Sequence, residues 1–429
     1  NMLNKLQLEA IDCLNNNMNV IITGPAGSGK SKVIEDFYKS TKKNIKYYQK
    51  GSIVKTSTTG SSALLIGGYT LHSYLGLGLG KSDVKTMVSN IRKNKTIRER
   101  WTNLKTLIID EVSMLSAELF DKLEEIAKII RKNHFHVFGG IQVVLVGDFC
   151  QLPIIGSTKF CFESEKWDEV VEKVIYFKEI IRQNDPVYQK CLNEIRMGKC
   201  SIESIETLTT RIDAEFENKE VIPTMLYSRK IDVEKINGEN FNKLIDAGSE
   251  KKSYKATYKT EGKMTKASVQ QYIDKMERSC PAESVLELCI DAQVMIIANN
   301  SEMGVVNGSR GVIVGFEGDD PLVKLISGRE VMVERHTWSM DISDEKVIKK
   351  IQYPLKLAYA ITIHKSQGMT LDCVETDIGD SIFEYGQVYV VLSRVKSLEG
   401  LRLKKFSSKK IKIHPKVKKF YKTLEKEKK

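Results

Sequence analysis

Gly24-Pro25-Ala26-Gly27-Ser28-Gly29-Lys30-Ser31 fits the pattern G-x-x-x-x-G-K-[ST] at every fixed position. Its flanks decide what it means. Asn19 to Thr23 reads as a short buried strand, and Lys32 to Ser40 as a helix with Val33, Ile34 and Phe37 on its apolar side. Strand, glycine-rich turn and helix start together build an anion cradle, with backbone N–H groups and the helix N-terminus facing phosphates. Lys30 supplies a mobile positive charge, and the Ser31 hydroxyl is placed to ligate Mg²⁺. A chance glycine turn would not carry both flanks. The stretch predicts binding of a nucleoside triphosphate.

Outward from it, Leu107-Ile108-Ile109-Asp110-Glu111 delivers two adjacent carboxylates at the carboxyl end of an apolar strand, where α/β sheets place ligands. Acidic pairs at strand ends are common, so the pair gains meaning from the phosphate loop about 80 residues upstream. Asp110 is expected to hold Mg²⁺ through water, and Glu111 to orient and deprotonate the attacking water. Gln142 to Val146 is a third buried strand, ending in Gly147-Asp148-Phe149-Cys150-Gln151-Leu152-Pro153, where the Gln151 amide can sense a γ-phosphate. Upstream, Leu3 to Ile11 has helical spacing, and Gln7 offers an acceptor and a donor suited to an adenine edge. After the strand Ser52 to Thr56, the hydroxyl-rich Ser57-Thr58-Thr59-Gly60-Ser61-Ser62 suits either phosphate contact or helix capping. Ala117 to Arg131 reads as an amphipathic helix, and Arg182 as either an arginine finger or a surface ion-pair arginine.

Composition narrows the class. At 429 residues there is room for two to four domains, and 41% hydrophobic against 28% charged residues describes a soluble globular chain. No apolar run approaches the roughly 18 residues of a membrane span, and no leader pattern is seen, so an intracellular protein off the membrane is expected. The eight cysteines form no C-x-x-C pair and have no histidines at zinc-ligand spacing, so free thiols and no structural metal are expected. Lys404 to Lys429 holds twelve lysines against Glu425 and Glu427, which is +10 of the formal +12. The rest of the chain is nearly neutral. That tail reads either as a nonspecific polyanion contact or as a solvated, partly disordered end.

The second half is less regular. Pro223 to Tyr227 is a strand among helices, and the polar, lysine-rich Gly248 to Pro281 is an insertion or a flexible link. Gln293 to Ala298, Gly311 to Phe316, Leu322 to Ile326 and Glu330 to Glu334 are short β-like runs between tight turns, which suggests a small barrel. Leu355 to Ile363 is an apolar element, followed by the turn His364-Lys365-Ser366-Gln367-Gly368. Gln387 to Arg394 is an apolar segment ending in an arginine.

Together these residues resemble superfamily 1B helicases, and within them the Pif (petite integration frequency) family of DNA helicases. Glu111 to Leu115 followed by Asp121-Lys122-Leu123, and Phe138-Gly139-Gly140-Ile141-Gln142 before Gly147-Asp148-Phe149, are similar to the stretches that separate this family from its RecD relatives. Asn307-Gly308-Ser309-Arg310-Gly311 resembles the family's barrel entry, and Leu357 to Asp372 its motif along the whole length. The likeness runs from about Leu3 to Phe406. Cys150 departs from it, standing where many relatives carry a second aromatic.

The resemblance implies an α/β fold of two RecA-like P-loop domains with a Src-homology-3-like β-barrel inserted in the second. The first domain would span 1–183, with a small insertion near 70–85, and the second 184–250 and 354–406. The barrel domain would span 251–353, and the lysine-rich tail 407–429. ATP and Mg²⁺ would bind at Gly24 to Ser31 with Asp110, aided by Gln7, Gln367 and Gly368. Arg182 and Arg394 would reach the γ-phosphate from the second domain. Thr56, Thr59, His72, Phe149, Thr362, His364 and Lys365 would lie along single-stranded DNA. The implied activity is 5′→3′ translocation by a monomer on single-stranded and tailed duplex DNA, with forks, RNA–DNA hybrids and G-quadruplexes as further substrates. Replication, repair, recombination and telomere maintenance are the implied settings, wherever the DNA lies. An ATP-driven loader, an RNA helicase of the Upf type and a RecD-like subunit share much of the same motif set.

Overall fold

The computed structural model describes residues 2–44, 48–154, 159–178, 180, 185–220, 222–343, 345–382 and 384–427. The chain divides into two units, Asn1–Arg182 with His414–Lys429, and Gln183–Ile413.

In the first unit, six strands form one parallel sheet: β1 (Val20–Thr23), β2 (Ile53–Ser57), β3 (Tyr69–Thr70), β4 (Thr106–Asp110), β5 (Gln142–Gly147) and β6 (Lys173–Tyr176). Their order is β3-β2-β4-β5-β1-β6, so β5 lies between the phosphate-loop strand and the carboxylate strand. Parallel strands covered on both faces need side chains that are apolar on both, which is why Val20-Ile21-Ile22, Leu107-Ile108-Ile109 and Val143 to Val146 are unbroken apolar runs, all buried. The helices α1 (Lys5–Asn15) and α2 (Lys30–Lys43) pack on this sheet. Ala10, Leu14, Val33, Ile34 and Phe37 join Val20, Ile22, Ile108, Val144 and Val146 in one core. Asn4 starts α1 with a capping box shared with Gln7. All six strands run the same way, so the loops after Thr23, Asp110 and Gly147 leave from one edge.

The region near 70–85 forms the helix Leu71–Leu75 and a loop in which Gly76, Gly78 and Gly80 all have positive φ. The lysine-rich end departs from the sequence reading. Residues 407–413 stay with the second unit, whereas Pro415–Lys426 is a helix of the first. The cause is the spacing of Val417, Phe420, Tyr421 and Leu424, which puts an apolar face on a helix otherwise crowded with lysine. Val417 and Tyr421 are buried, so this segment is an ordered helix with one face in the core and its lysines outward.

The second unit has a four-stranded parallel sheet in the order Ala360–Thr362, Thr224–Tyr227, Val374–Ile378, Leu401–Phe406. A five-stranded antiparallel sheet carries the four β-like runs foreseen from the sequence, with Leu355–Leu357 as the fifth strand beside Gln293–Ile296. The apolar run 355–363 thus serves two sheets in succession. Leu355–Leu357 closes the insertion, and Ala360–Thr362 re-enters the parallel sheet beside Thr224–Tyr227. Arg310 ties the two sheets together from inside. Its guanidinium donates to Thr224 Oγ1, to Ile222 O (2.6 Å) and to Gln293 Oε1 (3.1 Å). Burial pulls its pKa down to about 10.

The segment 248–281 is an insertion with structure of its own: strands Lys252–Lys255 and Thr257–Glu261 and the helix Lys266–Ser279. Thr257–Glu261 pairs with the hairpin His336–Ser343 and Lys346–Gln352, which the sequence reading missed. In that hairpin Lys350 and Gln352 point inward with Ile348, so polar residues occupy positions where alternation would show apolar ones. Lys350 is held there by Glu277 (2.8 Å) and the carbonyl of Ala282 (2.7 Å).

Candidate active site

The phosphate loop is shaped by glycines that nothing else can replace. A Cβ on Gly24, at φ 148°, would lie 2.1 Å from the carbonyl oxygen of Phe177. Gly29 is left-handed at φ 97° and immediately precedes α2. Within the loop the Lys30 ammonium donates to its carbonyls, Gly24 O at 2.6 Å and Pro25 O at 2.8 Å. The Ser28 hydroxyl is buried with no hydrogen-bond partner among the described residues, an arrangement that disfavours itself unless a ligand oxygen completes it. Gln7 reaches the same loop. Its Oε1 accepts from Asn4 N (3.0 Å), and its Nε2 donates to Gly29 O (3.3 Å), so the amide links the start of α1 to the cradle.

Across the sheet edge, Asp110 ends β4 and accepts from Glu111 N at 2.8 Å. Burial pushes its carboxyl up, opposed by that hydrogen bond and by the nearby charge of Lys30. Glu111 follows in the left-handed region at φ 56°, unusual for a side-chain-bearing residue, and its carbonyl accepts from Thr58 Oγ1 (3.0 Å). Gly147, ending β5, fits closely beneath this turn, since a Cβ there would meet Val112 N at 3.0 Å. The loop onward to Gln151 is held by Asp148, whose Oδ1 accepts from Cys150 N (3.0 Å) and Tyr421 OH (2.9 Å).

The donor set suits Mg²⁺. The exposed Ser31 hydroxyl at the start of α2 and the Asp110 carboxylate are hard oxygen donors, and the orphaned Ser28 hydroxyl lies in the same loop. No cluster of three or more His, Cys, Asp or Glu able to hold a metal occurs among the described residues. The fit is therefore to an ion shared with a phosphate ligand rather than caged by protein.

The remaining expected positions divide. Thr56 and Phe149 are corrected: both are core residues. Thr56 is buried with its hydroxyl donating to Ile108 O (2.7 Å), and Phe149 is edge-on to Phe162 (4.9 Å) and Phe420 (5.3 Å), offering no ring face to a base. Thr59 takes the capping role, accepting from Ser62 N at 3.3 Å. His72 is half-buried beside Gly80, and burial lowers its pKa. In the second unit, Thr362 accepts from Lys365 N (3.2 Å) in the turn after its strand, where His364, Lys365 and Gly368 are exposed and Gln367 is half-buried. Arg394 ends the fully buried helix Gln387–Ser393, its Nε donating to Val390 O at 3.3 Å. Arg182 lies outside the described residues. All eight cysteines are free thiols, and no helix among the described residues is long and apolar enough to cross a membrane. Sequence reasoning missed Tyr421, whose only signal is the helical spacing of Val417, Phe420, Tyr421 and Leu424.

Strand order, glycine cradle and carboxylate strand define a P-loop nucleotide-binding protein with RecA-like sheets. Comparison with known proteins narrows the class. The sequence matches the family model of PIF1-like helicases over residues 2–205 and that of the DNA helicase Pif1 2B domain over residues 271–316. It is 36% identical to the ATP-dependent DNA helicase PIF1 of Xenopus laevis, over 95% of this chain and 62% of that protein. The crystal structure of Pif1 helicase from Candida albicans shares 34% identity with a TM-score of 0.75, over 99% of this chain and 100% of that one. Pif1 helicase from Bacteroides, solved in complex with ADP-AlF3 and ssDNA, is 26% identical with a TM-score of 0.63, over 100% of this chain and 98% of that one. The chain belongs to the PIF1-like helicase family. It spans 61–64% of the length of the first curated relatives it matches.

Proposed function

We propose that this chain is an ATP-dependent DNA helicase, an ATP hydrolase that moves 5′→3′ along single-stranded DNA as a monomer and opens tailed duplexes and forks. Its main support is the phosphate loop with the orphaned Ser28 hydroxyl, on the same sheet edge as Asp110 and Glu111. The helicase relatives and the nucleotide- and ssDNA-bound neighbour lend the rest.

In this reading Lys30 leaves the carbonyls of Gly24 and Pro25 for the phosphates, exchanging neutral acceptors for charged ones, which strengthens its hydrogen bonds. Gln7 borders the adenine. Glu111 orients water at the γ-phosphorus and takes its proton as the bond to ADP breaks, and Gln151 senses the phosphate. Ser31 and Asp110 would hold Mg²⁺, which would supply charge neutralisation for the triphosphate. Arg182 and Arg394 are the proposed partners of γ-phosphate charge in turnover, with Gln367 and Gly368 nearby in role. Thr59, His72, Thr362, His364 and Lys365 would contact the strand through its backbone, as a motor that must accept every sequence requires. The inserted region, read as a Src-homology-3-like barrel, would help hold DNA. RNA–DNA hybrids and G-quadruplexes, and work in replication, repair, recombination or telomere maintenance within the cell, extend the proposal.

Two labelled duplexes, one with a 5′ tail and one with a 3′ tail, test it in the presence of ATP and Mg²⁺. Strand release from the 5′-tailed duplex alone is expected. Release from neither, with ATPase intact, would reduce the protein to an ATP-driven binder, and stimulation by RNA over DNA would change the substrate class.

A further inference from the structure

Among the described residues, three hydrogen bonds join the Tyr421 hydroxyl to residues bordering the nucleotide loops. It donates to Asp148 Oδ1 (2.9 Å) and accepts from Phe149 N (3.0 Å). Its third partner is Thr23 Oγ1 (2.7 Å), and because the phenolic proton is already committed to Asp148, Thr23 is the donor there. Thr23 and Tyr421 are fully buried, and Asp148 and Phe149 nearly so. Thr23 is the residue before Gly24, and Asp148 and Phe149 open the loop that carries Gln151.

These bonds are not needed to hold the sheet or to dock the helix. Thr23 and Gly147 are already partners in the β1–β5 ladder. The helix Pro415–Lys426 has its own attachments: Phe420 stacks on Phe162 at 4.6 Å, Val417 is buried, and Lys416 pairs with Glu163 at 2.7 Å. The Tyr421 ring rests against Tyr176 at 5.0 Å. What the hydroxyl adds is a tie beyond the ladder, from Thr23 to the backbone of Phe149 and the side chain of Asp148, where the Gln151 loop has already left the sheet.

We propose that the carboxy-terminal helix is part of the catalytic unit, with Tyr421 a positioning residue that sets the Gln151 loop against the phosphate loop for hydrolysis. The assignment rests on the reading of Gln151 as γ-phosphate sensor. Tyr421 touches no reacting atom and acts through Asp148, Phe149 and Thr23.

Tyr421→Phe in the full chain keeps the ring and removes the hydroxyl. The expected result is a fall of about tenfold in kcat of DNA-stimulated ATPase, with KM for ATP changed by less than about twofold. Combined with Gln151→Ala, the substitution should cause no further fall, because both act on one step. Amide hydrogen exchange over Phe149 to Gln151 should quicken, since Phe149 N–H loses its acceptor. Wild-type kcat, or equal losses with and without Gln151, would overturn the proposal. Were the wild-type protein to show no ATPase at all, the functional reading would fail separately. Exchange would then decide positioning alone, and unchanged protection would end it. Should Tyr421→Phe not fold, Thr23→Val removes one arm of the same network and is read by kcat against KM and by the double variant with Gln151→Ala.

Discussion

The two parallel sheets are built on one plan and finished differently at their carboxyl edges. Beyond β1 the backbone turns through Gly24, Gly27 and Gly29, all at positive φ, and so directs N–H groups at a single point. Among the described residues the second sheet shows no run of three such glycines after a strand. After Thr224–Tyr227, Arg229 pairs with Asp232 at 2.9 Å, and after Ala360–Thr362 the Ser366 hydroxyl turns back to Ile363 O at 2.6 Å. A cavity of about 480 Å³ does open there, bordered by Arg229, Asp232, Glu375, Asp377 and Lys404. Three carboxylates facing two cations make a poor host for a polyphosphate. The shared architecture delivers loops to an edge, and loop chemistry alone separates a nucleotide site from its counterpart.

Replacing the lysine of the cradle is the strongest way to break that contrast. Lys30→Ala should reduce ATPase and unwinding to background, a loss above about 10³-fold, while DNA binding stays near wild type. Residual turnover near the wild-type rate would show that the first sheet is not where hydrolysis occurs. Arg394→Ala tests the second sheet. Here kcat should fall by at least about 10²-fold with affinity for a fluorescent ADP analogue nearly unchanged. If nucleotide affinity fell in parallel, Arg394 would be placing the nucleotide rather than acting on its transferred phosphate.

Legibility in the sequence followed the same division. The first sheet was readable because its strands are buried on both faces and its loops use residues with few other purposes. Boundaries came within a residue or two: Gln142 to Val146 was foreseen, and Gln142–Gly147 is found. Readings failed where a residue's type fits two environments. Thr56 and Phe149 stand next to the right motifs, yet one hydroxyl serves Ile108 and the ring serves an aromatic core. The hairpin His336–Ser343 and Lys346–Gln352 was hidden because its inward positions are partly polar, a choice workable only with long-range partners such as Glu277. Tyr421 was hidden by its neighbours, since twelve lysines in the last 26 residues outweigh four well-spaced apolar side chains in any local reading.

Arg310 sharpens the comparison energetically. The second unit buries a guanidinium between two of its sheets, where the core between the first unit's sheet and the helices α1 and α2 is apolar. Arg310→Ala leaves Gln293, Thr224 and the carbonyl of Ile222 without their shared donor. It should destabilise the protein by about 3–5 kcal/mol in chemical denaturation. Nucleotide binding by the first unit should survive at denaturant concentrations where the variant's second unit has begun to open. A single transition with loss of both together would show that the two units unfold as one.

The smallest expected effect belongs to the lysines of the terminal helix. Truncation would remove Tyr421 along with them, so charge is better altered by Lys419→Gln, Lys422→Gln and Lys426→Gln, all exposed and away from the buried face. If these side chains touch phosphates, each loss lowers the slope of log affinity for single-stranded DNA against log salt by about 0.7. Fluorescence anisotropy at several salt concentrations reads that slope directly. A slope unchanged in the triple variant, with ATPase also unchanged, would assign the helix wholly to the first unit's interior, its lysines serving only to keep the outer face in water.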